Sequence, residues 1–211
     1  MLVAGDRRAT AGNVVMYDRA DKVLEIDRNS VMAIAGSPAT ASEMARILEH
    51  SFQFYRRSQL QEMSVEGKVR ALSKLLRENL GLVMQGVGVV VPLFATYDRA
   101  SADPTKVYFY DAMGAQFEAA DYASSGSGSP AVRSVLYYQN RWGSERIREL
   151  DETASIRLAL QALDTAADAD TATGGVDRSG RIYPIVKVVN ASGITTVPDS
   201  RLAELYQTGN A

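Results

Sequence analysis

The residues of this chain that could do chemistry are limited in kind. Among its 211 residues there is no cysteine and a single histidine, His50. The absence of cysteine excludes disulfides, iron–sulfur clusters, cysteine zinc sites and a thiol nucleophile. A metal site made of several histidines is impossible. A Ser-His-Asp site would have to use His50, which lies within a helical pattern with no evident partner, so a histidine-dependent serine hydrolase has little support.

Two charged clusters lie near the N-terminus. The segment Gly5–Asn13 reads Gly-Asp-Arg-Arg-Ala-Thr-Ala-Gly-Asn, which places Asp6 beside two arginines at the end of a strand pattern. Lys22 lies between polar Asp21 and apolar Val23. Taken alone, the first segment is as typical of a solvated turn as of a site, and Lys22 is typical of a surface lysine. Neither cluster decides a function by itself.

Glycine-rich junctions form the next two clusters. Gly36 lies where a strand pattern meets a helix pattern, and a glycine there lets a substrate approach the backbone and aims N–H groups outward. The run Gly126-Ser127-Gly128-Ser129 resembles the centre of a nucleophile elbow, but the G-x-S-x-G frame is not met around Ser127. The structural alternatives are a turn glycine at Gly36 and a tight strand-to-helix turn at the serine-glycine run.

The last cluster is acidic. Asp168 and Asp170 precede a Thr-Ala-Thr-Gly-Gly segment that ends at Gly175. Two nearby carboxylates followed by a glycine turn could bind a metal, although the end of a helix is the favoured interpretation. No P-loop, calcium loop or dinucleotide-binding fingerprint is present. We therefore expect neither a metal nor a cofactor.

Short β-type runs and apolar helical stripes supply the elements that must position these clusters. The predicted strands cover residues 1–4, 14–16, 22–26, 31–35, 87–97, 106–111, 115–120, 182–189 and 193–197. The predicted helices cover residues 38–55, 65–83, 130–140, 155–168 and 199–206, with Ser64 and Asp199 as N-caps.

The order of these elements favours an α+β fold. Strand blocks alternate with pairs of helices, and the βαβ alternation of a doubly wound parallel sheet is absent. Two antiparallel sheets stacked face to face, with helices outside, suit this order. No internal linker and no repeat of 20–50 residues is present, so residues 1–211 are expected to form one domain.

Composition and charge narrow the class of protein further. Hydrophobic residues make up 46% of the chain and charged residues 23%, which is ordinary for a globular protein. The formal net charge of -2 gives no general attraction to nucleic acid. No apolar run reaches about 18 residues, and the apolar N-terminus is too short for a signal peptide. We expect a cytoplasmic protein that binds neither membranes nor nucleic acid.

The order and spacing of the five clusters resemble a known family. The succession is Val3–Asn13, Asp21–Val23, Ile34–Ser37, Gly126–Ser129 and Asp170–Gly175. It resembles a β-type subunit of the 20S proteasome, of the actinobacterial kind, and the resemblance covers nearly the whole chain. The hexameric two-component bacterial protease shares the early motifs, but its subunits are shorter and the region from Trp142 to Asp170 favours the 20S type.

The resemblance implies a four-layer αββα sandwich and the chemistry of an N-terminal-nucleophile hydrolase. In that family a threonine at the mature N-terminus attacks the peptide carbonyl, and its own α-amine serves as base. Asp6 and Lys22 match the acidic and basic partners of the site, where a charged lysine favours loss of the hydroxyl proton. The Gly36 N–H matches the oxyanion donor.

The resemblance also implies supporting positions around the nucleophile. The group that positions the α-amine and a water matches Ser127, Asp170 and Thr173. Backbone that pairs with an extended substrate matches Thr10 and Gly36. The lining of the side-chain pocket matches Ala9, Ala20, Ile34 and Ser42, and these small and aliphatic residues suggest a hydrophobic preference.

The chain departs from the family pattern at its start. Met1 stands where the second strand of the family is already under way, so the threonine nucleophile, the first strand and a turn, roughly ten residues, are absent. Thr10 cannot substitute, because processing before it would remove Asp6. The chain from Met1 onward is therefore expected to be inactive and its sheet to lack a strand.

Three interpretations follow. The favoured one is an N-terminally incomplete copy of an active subunit, since Asp6, Lys22, Ser127 and Asp170 are retained. The others are a non-catalytic ring subunit and a different hydrolase such as an amidase. The resemblance further implies paired heptameric β rings capped by α-type subunits, a regulatory ATPase ring, and unfolded proteins as substrates.

Overall fold

The computed structural model describes residues 1–12, 14–177, 179 and 181–208. Asn13, the last residue of the first charged cluster, lies outside the described residues. The chain forms two compact units. The first unit consists of residues 1–23, 127–188 and 195 onward, and the second unit of residues 24–126 and 189–194. The expected single domain over residues 1–211 stays a prediction.

The second unit is built on a five-stranded antiparallel sheet whose strands follow one another in chain order. The strands are β4 (Val23–Asp27), β5 (Ser30–Ala33), β6 (Leu93–Tyr97), β7 (Thr105–Tyr110) and β8 (Gln116–Glu118). Between β5 and β6 lie three helices, α1 (Pro38–Gln59), α2 (Val65–Glu78) and α3 (Leu80–Met84). Antiparallel neighbours need only short connections, which is why β6 to β8 form a simple meander.

Helices α1 and α2 form where their apolar residues share one face. Pro38 lies in the first turn of α1, where the missing N–H leaves no bond unmade. The Ser64 side chain accepts a hydrogen bond from the Gly67 N–H and caps α2. Both helices contribute to one core, whose most buried members are Met32, Leu48, Leu72, Leu76, Val90 and Phe94.

Two predictions in this unit are wrong at their boundaries. The predicted strand over residues 87–97 is a strand only from Leu93, because Gly86 and Gly88 have φ values of +76° and +67° that interrupt extended backbone. The predicted helix over residues 65–83 breaks at Asn79, whose Nδ2 donates to the Gly88 carbonyl and holds the turn before α3.

The first unit contains two small sheets. Strands β1 (Leu2–Gly5), β9 (Ile185–Asn190) and β10 (Gly193–Thr196) form a sheet in the order β1-β9-β10, with Leu2 opposite Val188 and Gly5 opposite Ile185. Strands β2 (Ala9–Ala11) and β3 (Val14–Tyr17) form an antiparallel pair.

Three helices and a short 3₁₀ helix complete the first unit. They are α4 (Ser129–Trp142), the 3₁₀ turn (Ile147–Glu149), α5 (Glu152–Ala169) and α6 (Asp199–Thr208). The core between α5, α6 and the sheet includes Ile156, Leu160, Val186, Val188, Leu202 and Leu205. This packing holds α5 against β1. The residues that directly follow these two elements, Asp170 and Asp6, are candidate site residues.

Two features of the first unit differ from expectation. Strand β2 was not predicted, because its three residues, Ala-Thr-Ala, are too few to give a strand pattern. A register shift between Ala9 and Thr10 marks a bulge. Asp199 is the first residue of α6 rather than its N-cap, since the Leu202 N–H bonds to the Pro198 carbonyl. Its carboxylate still lies at the positive end of the helix dipole.

The predicted fold class is confirmed as a mixed α/β fold with antiparallel sheets. Six α-helices lie within the described residues. None of the described helices is both long and apolar enough to cross a membrane.

Candidate active site

A lysine–aspartate ion pair lies at the centre of the candidate site in the first unit. Asp6 follows directly after β1, and Lys22 directly precedes β4. The Lys22 Nζ lies 2.8 Å from Asp6 Oδ1 and 3.0 Å from Oδ2. Gly5 makes this approach possible, because a Cβ there would lie only 3.2 Å from the Val23 side chain and 3.3 Å from the Lys22 Cβ.

The Asp6 carboxylate is held by several donors. Besides the two contacts to Lys22, its Oδ2 accepts hydrogen bonds from the Arg8 N–H at 2.8 Å and the Gly174 N–H at 2.9 Å. Its side chain is 12% exposed, whereas that of Lys22 is 24% exposed. Within the described chain Lys22 donates only to Asp6. The carboxylate is therefore held in place, while the ammonium keeps capacity for a further partner.

A second carboxylate, Asp170, organises the hydroxyls of the site. Its Oδ2 accepts from Ser127 Oγ at 2.5 Å and from Thr173 Oγ1 at 2.6 Å. Its Oδ1 accepts from the Ala172 N–H at 3.1 Å. The hydrogen bonds from Ser127 and then Thr173, with a smaller contribution from the charge of Lys22, lower the pKa of Asp170 below its ordinary value.

Local backbone geometry explains why these residues meet. Asp170 is the residue after α5, and its carbonyl accepts from the Thr173 N–H in a tight turn. Gly128 leaves room for that turn, because a Cβ at this position would lie 2.5 Å from Thr173 Oγ1. The acidic cluster is therefore a helix end, as favoured, and no group of three or more possible metal ligands occurs among the described residues.

Arg8 connects the two carboxylates and was missed in the sequence. Its Nη1 donates to the carbonyls of Thr171 at 2.9 Å and Thr173 at 3.2 Å, while its backbone N–H binds Asp6. Its Nε is buried with no acceptor in the described part of the chain. The available signal was its place two residues after Asp6 in the first cluster, where two adjacent arginines suggested only a solvated turn.

Gly36, the remaining predicted catalytic residue, belongs to the second unit. Its φ of +100° and the 2.1 Å that would separate a Cβ from the Val89 carbonyl oxygen make glycine necessary. The hydrogen bonds of its bridge to Val90 are made by the neighbouring residues, Ser37 N–H to Val89 and Val91 N–H to Ala35. No described residue accepts from the Gly36 N–H itself, which is free to bind an oxyanion.

The residues expected to bind substrate are distributed over both units. Ala9 and Thr10 lie on β2, and the Ala20 N–H donates to the Arg7 carbonyl at 2.9 Å, so these three share the first unit. Ile34 follows β5 and Ser42 lies on an exposed part of α1, both in the second unit. Their common lining of a pocket stays a prediction.

The first unit thus brings together five of the six predicted catalytic residues: Asp6, Lys22, Ser127, Asp170 and Thr173. The cluster offers an ammonium that can lower the pKa of a nearby hydroxyl and two hydroxyls that can orient an amine or water. Among the described residues, no hydroxyl bonds to the Lys22 ammonium.

Comparison with known proteins gives a consistent family. A family model described as "Proteasome subunit" matches residues 1–180. "Proteasome subunit beta" of Acidimicrobium ferrooxidans is 38% identical over 205 residues, which cover 97% of this chain and 72% of that protein. The protein of the same description from Acidothermus cellulolyticus is 38% identical over 210 residues, covering 98% and 70%.

A third relative, "Proteasome subunit beta 2" of Thermomonospora curvata, is 38% identical over 208 residues, covering 99% of this chain and 71% of that protein. The matches extend over the motifs that form the Asp6–Lys22 and Asp170 groups, and they confirm the resemblance read from those motifs. The chain therefore belongs to the proteasome subunit family, and the relatives it resembles over nearly its whole length are β subunits.

Proposed function

We propose that this chain is the β subunit of a 20S proteasome core particle. We propose that it acts there as a threonine-type endopeptidase in the cytoplasm. One observation carries the proposal. The Lys22 ammonium is fixed by a carboxylate that also accepts from two backbone N–H groups, yet the ammonium itself is partly exposed. A lysine ammonium held in this way can stabilise an alkoxide brought next to it.

The nucleophile is the hydroxyl of a threonine supplied by a segment that precedes Met1. Support comes from the site, which has a place for a hydroxyl beside Lys22 but no described residue that provides one. An N-terminal threonine also brings its own base, the α-amine, which accounts for catalysis in a chain whose single histidine is remote from this role.

Ser127 and Thr173 position that amine and a water. Both hydroxyls donate to Asp170, so their remaining lone pairs are available to accept hydrogen bonds. The lowered pKa of Asp170 keeps it ionised through the neutral and mildly acidic range. The oriented hydroxyls therefore stay in one arrangement while protons move at the nucleophile.

The Gly36 N–H is our candidate oxyanion donor, and one such donor stabilises a transition state by about 3 kcal/mol. The bulged strand β2 carries Thr10, whose backbone is proposed to pair with an extended substrate. Because Ala9, Ala20 and Ile34 are small or aliphatic, we propose cleavage after apolar residues of unfolded proteins.

Assembly follows from the same family membership. We propose heptameric β rings stacked in pairs, α-type rings at both ends, and a regulatory ATPase ring that delivers unfolded substrate. A closed chamber of this kind would confine a site that could otherwise cleave any exposed extended chain.

The test restores the nucleophile and changes only its hydroxyl. The chain is extended by about ten residues, enough for a strand and a turn, that begin with threonine behind a removable leader. It is co-expressed with an actinobacterial α-type subunit, and release of a fluorophore from an apolar peptide is followed. The control carries alanine in place of the leading threonine.

Hydrolysis by the threonine form and none by the alanine form is the expected result. A fully assembled cylinder in which the threonine form is as inactive as the alanine form would instead favour the non-catalytic ring subunit. Cleavage by both forms would show that another group is the nucleophile, as in a different class of hydrolase.

A further inference from the structure

The second unit contains an open cavity of about 550 Å³ that the proposed peptidase does not use. It lies beside the β4–β5 turn and the C-terminal part of α1. Its apolar surface comes from Ile26, Phe52 and Met63. The volume is that of a typical small-molecule site rather than of a few waters.

The rim of this cavity carries three arginines. Arg28 comes from the β4–β5 turn, and Arg56 and Arg57 come from the last turn of α1. None of the three side chains has a hydrogen bond or ion pair with the described residues. The negative end of the α1 dipole accounts for basic residues at 56 and 57 but not for Arg28, which lies on another element.

The two carboxylates of the lining offset only part of this charge. Three guanidinium groups and the Lys68 ammonium stand against Asp27 and Glu62, which leaves a net charge of +2. Asp27 forms a 2.7 Å ion pair with Lys68, whose side chain is only 5% exposed. Glu62 accepts from the Asn29 amide at 3.1 Å. The lining therefore presents three available guanidinium groups above a buried ammonium.

We propose that this cavity binds a small organic phosphate. Guanidinium groups match phosphate oxygens in pairs of parallel hydrogen bonds, and several together favour a group that carries more than one negative charge. The partly exposed Met63 side chain would cover the ring or chain to which the phosphate is attached, with the buried Phe52 ring behind it. Lys68 forms part of the floor but adds no net charge, since it is paired with Asp27, donates to Ser30 Oγ and contacts the Phe52 ring.

A protein carboxylate is the competing occupant. A single carboxylate engages one guanidinium bidentately, whereas three available guanidinium groups suit the higher charge and the three oxygens of a phosphate. The apolar lining inside the cavity also favours a compact ligand with its own ring over an acidic chain that lies across the rim.

The test measures binding by the chain as it stands, so its outcome does not depend on the proposed peptidase. Inorganic pyrophosphate and ADP, both free of magnesium, are titrated by calorimetry. The double variant Arg56→Gln/Arg57→Gln removes two rim charges, and Arg46→Gln removes an exposed arginine from the same helix outside the cavity. We expect both probes to bind, ADP more tightly, and the double variant to bind at least about tenfold more weakly.

The control variant is expected to bind within about twofold of the wild type. The proposal is overturned if neither probe binds below about 10 mM, or if Arg46→Gln and the double variant lose affinity equally. It is also overturned if a glutamate-rich peptide binds more tightly than both probes with the same dependence on Arg56 and Arg57, because the cavity would then serve a protein partner.

Discussion

The Lys22–Asp6 pair of the first unit and the Lys68–Asp27 pair of the second have nearly the same length, 2.8 and 2.7 Å. The two pairs differ in whether the lysine ammonium has contacts beyond its aspartate. Asp6 accepts from two backbone N–H groups in addition to Lys22, which leaves the ammonium as the open partner. Lys68 also donates to Ser30 and lies over the Phe52 ring, so in that pair the ammonium is the committed partner.

This difference separates a pair that can act from a pair that only stabilises. A lysine that is 24% exposed and bound on one side can meet a reacting hydroxyl, whereas one that is 5% exposed and bound on three sides cannot. Loss of the buried Lys68 ammonium should also be costly, because the buried Ser30 hydroxyl would lose a donor and the partly buried Asp27 its counter-charge. The two pairs should therefore respond to mutation in opposite ways.

The largest expected effect is on the rate when the carboxylate of the open pair is neutralised. Asp6→Asn leaves Lys22 without its counter-charge and loosens the loop at Gly174, so kcat of the threonine-extended, assembled chain should fall by about 10³-fold. Steady-state hydrolysis of the apolar peptide measures it. Asp18→Asn, at an exposed residue outside the site, should keep the rate; comparable losses in both variants would refute a special role for Asp6.

Loss of the Lys68–Asp27 pair should lower the stability of the fold. Lys68→Met keeps the length of the side chain but strands Asp27, and we expect the free energy of unfolding to fall by about 3 kcal/mol. Lys22→Met should cost less, about 1 kcal/mol, because Asp6 keeps its hydrogen bonds from the Arg8 and Gly174 N–H groups. Urea unfolding followed by circular dichroism compares the two variants. Equal losses in the free energy of unfolding would mean that the two ion pairs stabilise the fold to the same extent.

A smaller effect is expected where the open pair meets the Asp170 group. Arg8→Gln removes the two bonds to the carbonyls of Thr171 and Thr173, and kcat should fall by about tenfold through misplacement of the hydroxyls. Arg8→Lys should recover part of the rate, because an ammonium can still reach one carbonyl. A wild-type rate in Arg8→Gln, measured on the assembled and extended chain, would show that Arg8 does not position the hydroxyls of the site.

The smallest effect is the dependence of stability on pH at Asp170. Its pKa is lowered in the folded chain, chiefly by the Ser127 hydrogen bond, so its contribution is present above the ordinary aspartate pKa of about 4 and is lost as pH falls through the lowered value. Asp170→Asn should therefore be less stable than the wild type at pH 6, and the gap should close toward pH 3. Unfolding curves over this range measure it, and a gap that stays constant would contradict the assignment.

Local signals predicted much of the fold. The stripes of α1 and α5 and the strands of the β6–β8 meander depend on neighbouring residues, and most lie close to where periodicity placed them. The errors lie where a contact outside the local sequence pattern determines the secondary structure. The Asn79 side chain bonds to the Gly88 carbonyl, and strand β2 forms because β3 pairs with it.

The site was predictable only through the family's motif order, because its bonds span long distances in sequence. Gly174 donates to Asp6 across 168 residues, and no local periodicity encodes that contact. Arg8 was missed because its role depends on the carbonyls of a remote loop. Lys68 was missed for the converse reason: within the apolar stripe of α2 a lysine is expected to reach solvent, and only the folded sheet buries it.

Lys22→Ala and Lys68→Ala, made in the same threonine-extended, assembled chain, separate catalysis from stability when kcat and the free energy of unfolding are measured on each. We predict that Lys22→Ala lowers kcat by at least about 10³-fold, while the cylinder still assembles and unfolds near the wild-type midpoint. Lys68→Ala should mainly lose stability. Full activity in Lys22→Ala would show that Lys22 does not activate the nucleophile.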